Sequence, residues 1–121
     1  MSAKITGKAM RVRIFLGESA HYHHQPLYHA IVLEARRMGL AGATVMRGFE
    51  GFGASSRIHT ANLVDLSADL PIVIEIVDSE EYLRPFLAVL GNMVDSGLVT
   101  LEPVTILHYG PTHRRPPQDI G

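Results

Sequence analysis

Leu70-Pro71-Ile72-Val73-Ile74-Glu75-Ile76-Val77-Asp78 is the most apolar stretch of the 121-residue chain. Read at a period of two, it sets Ile72, Ile74 and Ile76 on one face and Val73, Glu75 and Val77 on the other. That is the pattern of a central strand covered on both sides. Pro71 fits only because it stands at the strand's start. The carboxylate of Glu75, midway along so apolar a strand, must be paired or solvated. Burying it alone would raise its pKa or cost several kcal/mol. A salt bridge across a subunit interface and a ligand contact such as a ribose hydroxyl are both open.

C-terminal to this strand, Asp78 or Ser79 can cap a helix, with Glu81 as a capping-box partner three residues after Asp78. Leu83, Phe86, Leu87, Leu90, Met93 and Val94 form its apolar stripe. Pro85 removes a hydrogen bond inside that helix and predicts a kink, or a helix that begins near it. Gly97 closes the helix, and 98–109 supplies a last strand, broken or bulged near Pro103. On the N-terminal side, 43–48 gives a short strand. In 11–17, Val12, Ile14 and Leu16 alternate with Arg13 and Phe15, a half-buried strand. Between these two, Gln25 caps a helix whose first position is Pro26; Leu27, Ala30, Ile31, Glu34, Ala35 and Met38 follow at helical spacing, and Gly39 takes the C′ position.

The order is β-α-β-β-α-β, which predicts a ferredoxin-like α+β sandwich: an antiparallel four-stranded sheet with two helices on one face. The sheet's second face, carrying Val73, Glu75 and Val77, is too apolar to stand in water, so a homo-oligomer is expected, with a trimer the leading choice. One domain spans 10–109. Residues 1–9 and 110–121, the latter with Pro116 and Pro117, are expected to be disordered.

Composition narrows the function. There is no cysteine, which excludes disulfides, thiolate nucleophiles and cysteine-ligated metals. The formal net charge of -1, without runs of like charge, gives no nucleic-acid footprint. No apolar run approaches bilayer length and the first nine residues lack a signal-peptide core, so a cytoplasmic protein that is not membrane-embedded is expected.

Roughly twenty residues separate the two middle strands, against two to five in an ordinary hairpin, and loops that long are functional or disordered. The loop begins Arg47-Gly48-Phe49-Glu50-Gly51-Phe52-Gly53-Ala54-Ser55-Ser56-Arg57-Ile58-His59-Thr60. Its three glycines permit positive φ and close backbone approach, so successive N–H groups could form an anion-binding nest. Arg47, Arg57, Ser55 and Ser56 add donors for phosphate or carboxylate, and Phe49 or Phe52 an aromatic face for a base. The same glycines also suit plain turns and bulges, since the spacing is neither a Walker A nor a Rossmann fingerprint. Of the seven histidines, His21, His23 and His24 cluster in one connection, with His29 nearby, and could ligate zinc, nickel or copper. His59 shares the glycine loop with Arg57.

Ile14-Phe15-Leu16-Gly17-Glu18, Pro26-Leu27-Tyr28, 39–45 with Arg47-Gly48, Gly51-Phe52-Gly53, Ser56-Arg57-Ile58-His59-Thr60, 70–78 and Gly97-Leu98-Val99-Thr100 together resemble the PII-like family catalogued as domain of unknown function 190. The likeness runs from about Arg11 to Tyr109. It implies a ferredoxin-like trimer related to the PII signalling proteins, which bind adenine nucleotides in clefts between subunits at the base of the long loop. Those relatives carry a similar Ile-Glu-Ile-Val stretch, matched by Ile74 to Val77, with its glutamate near the nucleotide. The resemblance therefore puts Gly48, Gly51, Gly53, Arg57 and Glu75 near the cleft. PII's modified tyrosine has no counterpart, and Asp78-Ser79-Glu80-Glu81 stands where a glycine-and-lysine phosphate cradle is expected. Its acidic residues would repel a triphosphate, which favours a monophosphate such as AMP over ATP.

The leading functional expectation is a regulator in which a small anionic effector orders the glycine loop for docking on a transporter or enzyme. The candidate binding residues are Arg47, Gly48, Gly51, Phe52, Gly53, Ser56, Arg57, His59 and Glu75, with no required cofactor. The alternative is a metal-binding trimer of CutA-like architecture using His21, His23 and His24. An enzyme with His59 as general base beside Arg57 ranks last, since the sequence shows no carboxylate pair or nucleophile-base dyad.

Overall fold

A computed structural model of the chain describes residues 2–3, 7–61, 69–110 and 112–113. Its main sheet has four antiparallel strands: β2 (Gly7–Gly17), β5 (Thr44–Arg47), β8 (Pro71–Asp78) and β9 (Leu98–Ile106), ordered β5-β8-β2-β9. Helices α1 (Leu27–Arg37) and α2 (Glu80–Met93) cover one face, giving the expected ferredoxin-like α+β sandwich. Short two-stranded pairings surround it: β1 (Ser2–Ala3) with β10 (Thr112–His113), β3 (His21–Tyr22) with β4 (Gln25–Pro26), and β6 (Glu50–Gly51) with β7 (His59–Thr60).

Period two decides which side chains meet the helices. Val12, Ile14 and Leu16 of β2 and Ile72, Ile74 and Ile76 of β8 are buried against Leu27, Ala30, Ile31 and Ala35 of α1 and Leu83, Phe86, Leu90 and Met93 of α2. Each such side chain contributes about 1.5–3 kcal/mol of apolar burial. Helix α1 ends as its sequence requires: Gly39 has φ +79°, its N–H donates to the Arg36 carbonyl and that of Leu40 to the Ala35 carbonyl, a Schellman closure.

Several local expectations are corrected. Pro26 is the N-cap of α1 rather than its first residue, and Gln25 and Pro26 pair instead with Tyr22 and His21. Of the two cap candidates Ser79 is the N-cap of α2, but it makes no side-chain capping bond; α2 starts at Glu80 and runs through Pro85, which is buried. Strand β9 is continuous, with Pro103 opposite Met10 in unbroken register. An edge strand has one side without a ladder, where a proline nitrogen forfeits nothing. Gly7, Lys8 and Ala9, expected in a disordered N-terminus, open β2 opposite Ile106, Thr105 and Val104. Thr112 and His113, from the tail expected to be disordered, pair with Ala3 and Ser2. The rest of those two segments lies outside the described residues, apart from Gly110, which has φ +136°.

On the face away from the helices the register builds rows across the strands. Met46, Val73, Phe15 and Leu98 form one apolar row over all four strands, and Thr44, Glu75, Arg13 and Thr100 form the next. Val77, Arg11 and Glu102 follow on three strands.

Candidate functional site

Where the second row meets the sheet's end, a cavity of about 410 Å³ opens, lined by Ala41, Thr44, Glu75, Val77, His108 and Tyr109 among others. Strand pairing places Thr44 directly opposite Glu75. Glu75 Oε2 accepts from Arg13 Nε at 3.0 Å; Arg13 Nη1 lies 3.7 Å from Glu102 Oε1, which also accepts from Arg11 Nε at 2.8 Å. The four charges alternate across β8, β2 and β9 within one chain, so Glu75 is neutralised without a partner subunit. A carboxylate has lone pairs for a further donor, such as a sugar hydroxyl.

The cavity's rim is fixed by hydrogen bonds. Tyr109 Oη donates to the Ala41 carbonyl at 2.6 Å, and the Ala41 N–H donates to Asp78 Oδ2 at 2.9 Å. Asp78 is fully buried on the helix side of β8, and its Oδ1 accepts the Ser79 N–H at 2.7 Å. Its carboxylate thus anchors the turn after α1. Thr44, Ala41, Tyr109 and Asp78 were not singled out as site residues. Only Asp78 carried a sequence signal, as a carboxylate in an apolar strand, and its local context pointed to a cap instead. A second concavity of about 580 Å³ lies beside Lys8, Met10, Glu80 and Thr105, where the charges of Lys8 and Glu80 are of opposite sign.

The long connection is organised differently from its expectation. Gly48, Gly51 and Gly53 all lack positive φ; in this segment it is Ser56 that has it, at +61°. The reason for glycine at 48 and 51 is contact: a Cβ there would lie 2.9 Å and 3.1 Å from Pro71 Cγ, and the Gly48 N–H donates to the Pro71 carbonyl at 2.8 Å. The glycines therefore seat the loop's base on the proline that opens β8, and a nest built on their positive φ is not the arrangement present. Arg47 is held by Glu18, Nε to Oε2 at 2.9 Å and Nη2 to Oε1 at 3.0 Å. Asp69, on the loop's other side, accepts the Ser19 N–H at 2.7 Å. Both ends of the loop are thereby tied to the residues that follow β2.

Beyond its base the connection folds into the β6–β7 hairpin, Gly51 opposite His59 and Glu50 opposite Thr60. A turn closed by Ser56 N–H to Gly53 carbonyl, 2.9 Å, forms its tip. Arg57 is exposed there, and Phe49, Phe52 and Ile58 are 77%, 70% and 65% exposed. Residues 62–68 lie outside the described residues. Of the nine candidate binding residues, only Glu75 lines the cavity; Arg47, Gly48 and Gly51 sit at the loop base, and Phe52, Gly53, Ser56, Arg57 and His59 in the hairpin.

The histidine cluster does not converge. His23 and His24, at φ +49° and +69°, form the two-residue turn joining β3 to β4, a primed hairpin turn. His23 stacks edge-on against Tyr22 at 4.3 Å between ring centres, and His21 Nδ1 bonds to the Ser19 carbonyl. Among the described residues no group of three or more His, Asp or Glu side chains is placed to hold a metal ion. Nor, among them, is any helix long and apolar enough to cross a membrane.

This sheet order, with the two helices on one face, defines a ferredoxin-like α+β domain. The chain belongs to the DUF190 family, described as an uncharacterized ACR, whose model matches residues 9–106. It is 36% identical over 101 residues to a UPF0166 protein of Aquifex aeolicus (strain VF5), covering 84% of this chain and 95% of the relative. It is 32% identical over 95 residues to UPF0166 protein MJ1524 of Methanocaldococcus jannaschii, covering 78% and 87%. Among solved structures it is similar to a PII-like signaling protein of Thermus thermophilus, with TM-score 0.58, 22% identity and coverage of 83% of this chain and 90% of that one. It is also similar to CPII of Thiomonas intermedia K12, solved bound to ADP and bicarbonate, with TM-score 0.55, 24% identity and coverage of 82% and 88%. At these identities the two structures establish the shared fold.

Proposed function

We propose that this chain is a cytoplasmic PII-like regulator that binds an adenine nucleotide, AMP in preference to ATP, in clefts between the subunits of a homotrimer, and signals through the connection between β5 and β8. The observation that carries this reading is the cavity of about 410 Å³ beside Glu75 on the sheet face that no helix covers. Its volume falls within the usual range of small-molecule sites, and its lining mixes apolar walls with two hydroxyls, a carboxylate and an imidazole. The ADP held by the CPII relative supports a nucleotide as ligand. Glu80 and Glu81 in the first turn of α2, Glu80 beside the second concavity, disfavour a triphosphate at that helix end.

The apolar row Met46, Val73, Phe15 and Leu98 supports self-association on the open face. Phe15 and Leu98 are exposed, large and adjacent, which in water favours burial against a second copy. The loop residues Arg47 and Arg57, with Ser56 and His59, then serve the phosphate end from across the subunit seam. The exposed Phe49, Phe52 and Ile58 of the hairpin form the surface offered to a transporter or enzyme. Calorimetry of the purified protein with AMP, ADP and ATP, beside light scattering for its mass, tests the reading. Micromolar AMP binding by a trimer, tighter than that of ATP, is expected. A monomer that binds none of the three overturns it.

A further inference from the structure

We infer that the Ala41 carbonyl, which accepts the Tyr109 hydroxyl, is the base-selecting acceptor of the cavity, so that the ligand's exocyclic amine must displace Tyr109. The inference rests on the nucleotide reading above and adds to it what distinguishes one base from another.

Ala41 is bound through both of its backbone groups, which belong to two successive peptide units. Its N–H donates to Asp78 Oδ2 at 2.9 Å, and Asp78 is fully buried, with its other oxygen accepting the Ser79 N–H at 2.7 Å. The charge-assisted bond to a buried carboxylate anchors the Leu40–Ala41 peptide unit, and the Ala41 carbonyl stands in the next unit, one Cα beyond that anchor. Ala41 and Tyr109 both line the cavity, and Tyr109 Oη donates to the Ala41 carbonyl at 2.6 Å across 68 positions of sequence. Tyr109 itself belongs to an irregular segment after β9, in which neighbouring Leu107 is 88% exposed. One partner in this bond stands beside an anchored peptide unit and the other is carried on a segment without strand or helix pairing.

A carbonyl so placed discriminates by what the ligand presents to it. A ligand group that donates, such as the amine of adenine, replaces the tyrosine hydroxyl one bond for one bond. A ligand that presents a carbonyl at the same place, as hypoxanthine does, sets acceptor against acceptor and leaves a polar group unpaired. The displaced ring, still tethered beside the cavity, is free to lie against the base as an aromatic wall.

The test is calorimetry of the full chain with AMP and IMP, in wild type and in Tyr109→Phe, which keeps the ring and removes the donor. In wild type AMP is expected to bind about tenfold or more tighter than IMP. In Tyr109→Phe the affinities for AMP and IMP both rise severalfold, because no hydroxyl must leave, and AMP remains the tighter ligand. Equal affinities for AMP and IMP in wild type, or an unchanged AMP affinity in the variant, overturns the inference while leaving nucleotide binding standing. Absence of binding by either nucleotide to either protein removes the nucleotide reading and this inference with it.

Discussion

Arg47 and Glu18 form a two-pronged ion pair, Nε to Oε2 at 2.9 Å and Nη2 to Oε1 at 3.0 Å, that ties the base of the long connection to the end of β2. The pair is largely solvent-exposed, so it contributes at most about 1 kcal/mol to stability. Its effect on binding is larger, because a phosphate reaching Arg47 must compete with a carboxylate already in the fork-on geometry that guanidinium prefers. Glu18→Gln is expected to raise AMP affinity about three- to tenfold and Arg47→Ala to lower it by a similar factor, both with melting temperatures within a few degrees of wild type. Calorimetry decides: if both substitutions shift affinity in the same direction, the competition does not exist.

The glycines of the loop base should separate into two classes. At Gly48 a methyl group would meet Pro71 Cγ at 2.9 Å, whereas at Gly53 nothing lies within 4 Å and φ is not positive. Gly48→Ala must push the proline ring or the strand and is expected to cost about 1–3 kcal/mol. Gly53→Ala is expected to be neutral or to stabilise by up to about 1 kcal/mol, through the unfolded chain. Urea denaturation measures both. An equal cost at the two positions would mean that contact with Pro71 is not what requires glycine.

Acid stability has one identifiable contributor on α1. The hydrogen bond from Arg37 holds the Glu34 carboxyl below its ordinary pKa, outweighing partial burial that pushes the other way, and the charge of Arg37 adds to it. A carboxylate with a depressed folded-state pKa stabilises the fold above its unfolded pKa, and that stabilisation disappears as pH falls through the folded value. The pair is on the surface at i, i+3, so its share is within roughly 0.5 kcal/mol. Wild type and Glu34→Gln are expected to differ slightly at neutral pH and to converge at strongly acidic pH. Divergence of their denaturation midpoints on acidification contradicts the assignment.

Asp78 is expected to be the most sensitive polar position. Asp78→Ala leaves the N–H groups of Ala41 and Ser79 without their buried acceptor, which at about 1–3 kcal/mol for each unsatisfied group predicts a loss of several kcal/mol. Asp78→Asn retains one acceptor oxygen and should lose less. Denaturant midpoints of the two variants rank them, and a milder effect of alanine than of asparagine would show that these bonds are not the reason for the carboxylate.

What the sequence reveals follows from the range of the interactions involved. The alternation of Ile72, Ile74 and Ile76, the stripes of both helices and Gly39 at the end of α1 are local patterns, and all stand in the fold where period and capping place them. Pro103 was misread because nothing in its neighbourhood says that β9 lies at an edge; strand order is a global property. Asp78 is half legible, because a carboxylate just before a helix is the ordinary sign of a cap and its bond to Ser79 is local, whereas its bond to Ala41 spans 37 positions. The site is less legible for the same reason. Glu75 stands out against its own strand, whereas Thr44 acquires its position only through register and Tyr109 only through a contact 68 positions distant.

The open sheet face carries the last prediction. Phe15 is 37% exposed and sits between Val73 and Leu98, with Met46 beyond Val73, so a single large side chain anchors an apolar row across four strands. Adjacent to that row, Glu75, Arg13, Glu102 and Arg11 alternate in sign, which makes the neighbouring strip polar yet neutral and able to lie against a copy of itself without net repulsion. Phe15→Glu places a charge in the middle of the apolar row while leaving the helix-side core of Val12, Ile14 and Leu16 untouched. Because the substitution points away from that core, the far-ultraviolet circular dichroism of the variant should match that of wild type. Its mass by light scattering should fall from that of an oligomer to that of one chain, since a charge desolvated in an apolar interface costs several kcal/mol per subunit. AMP affinity should fall with it if the cleft is completed by a neighbouring subunit. A variant that keeps both the oligomeric mass and the nucleotide affinity would show that subunits meet elsewhere and that the cavity beside Glu75 is not closed by this face.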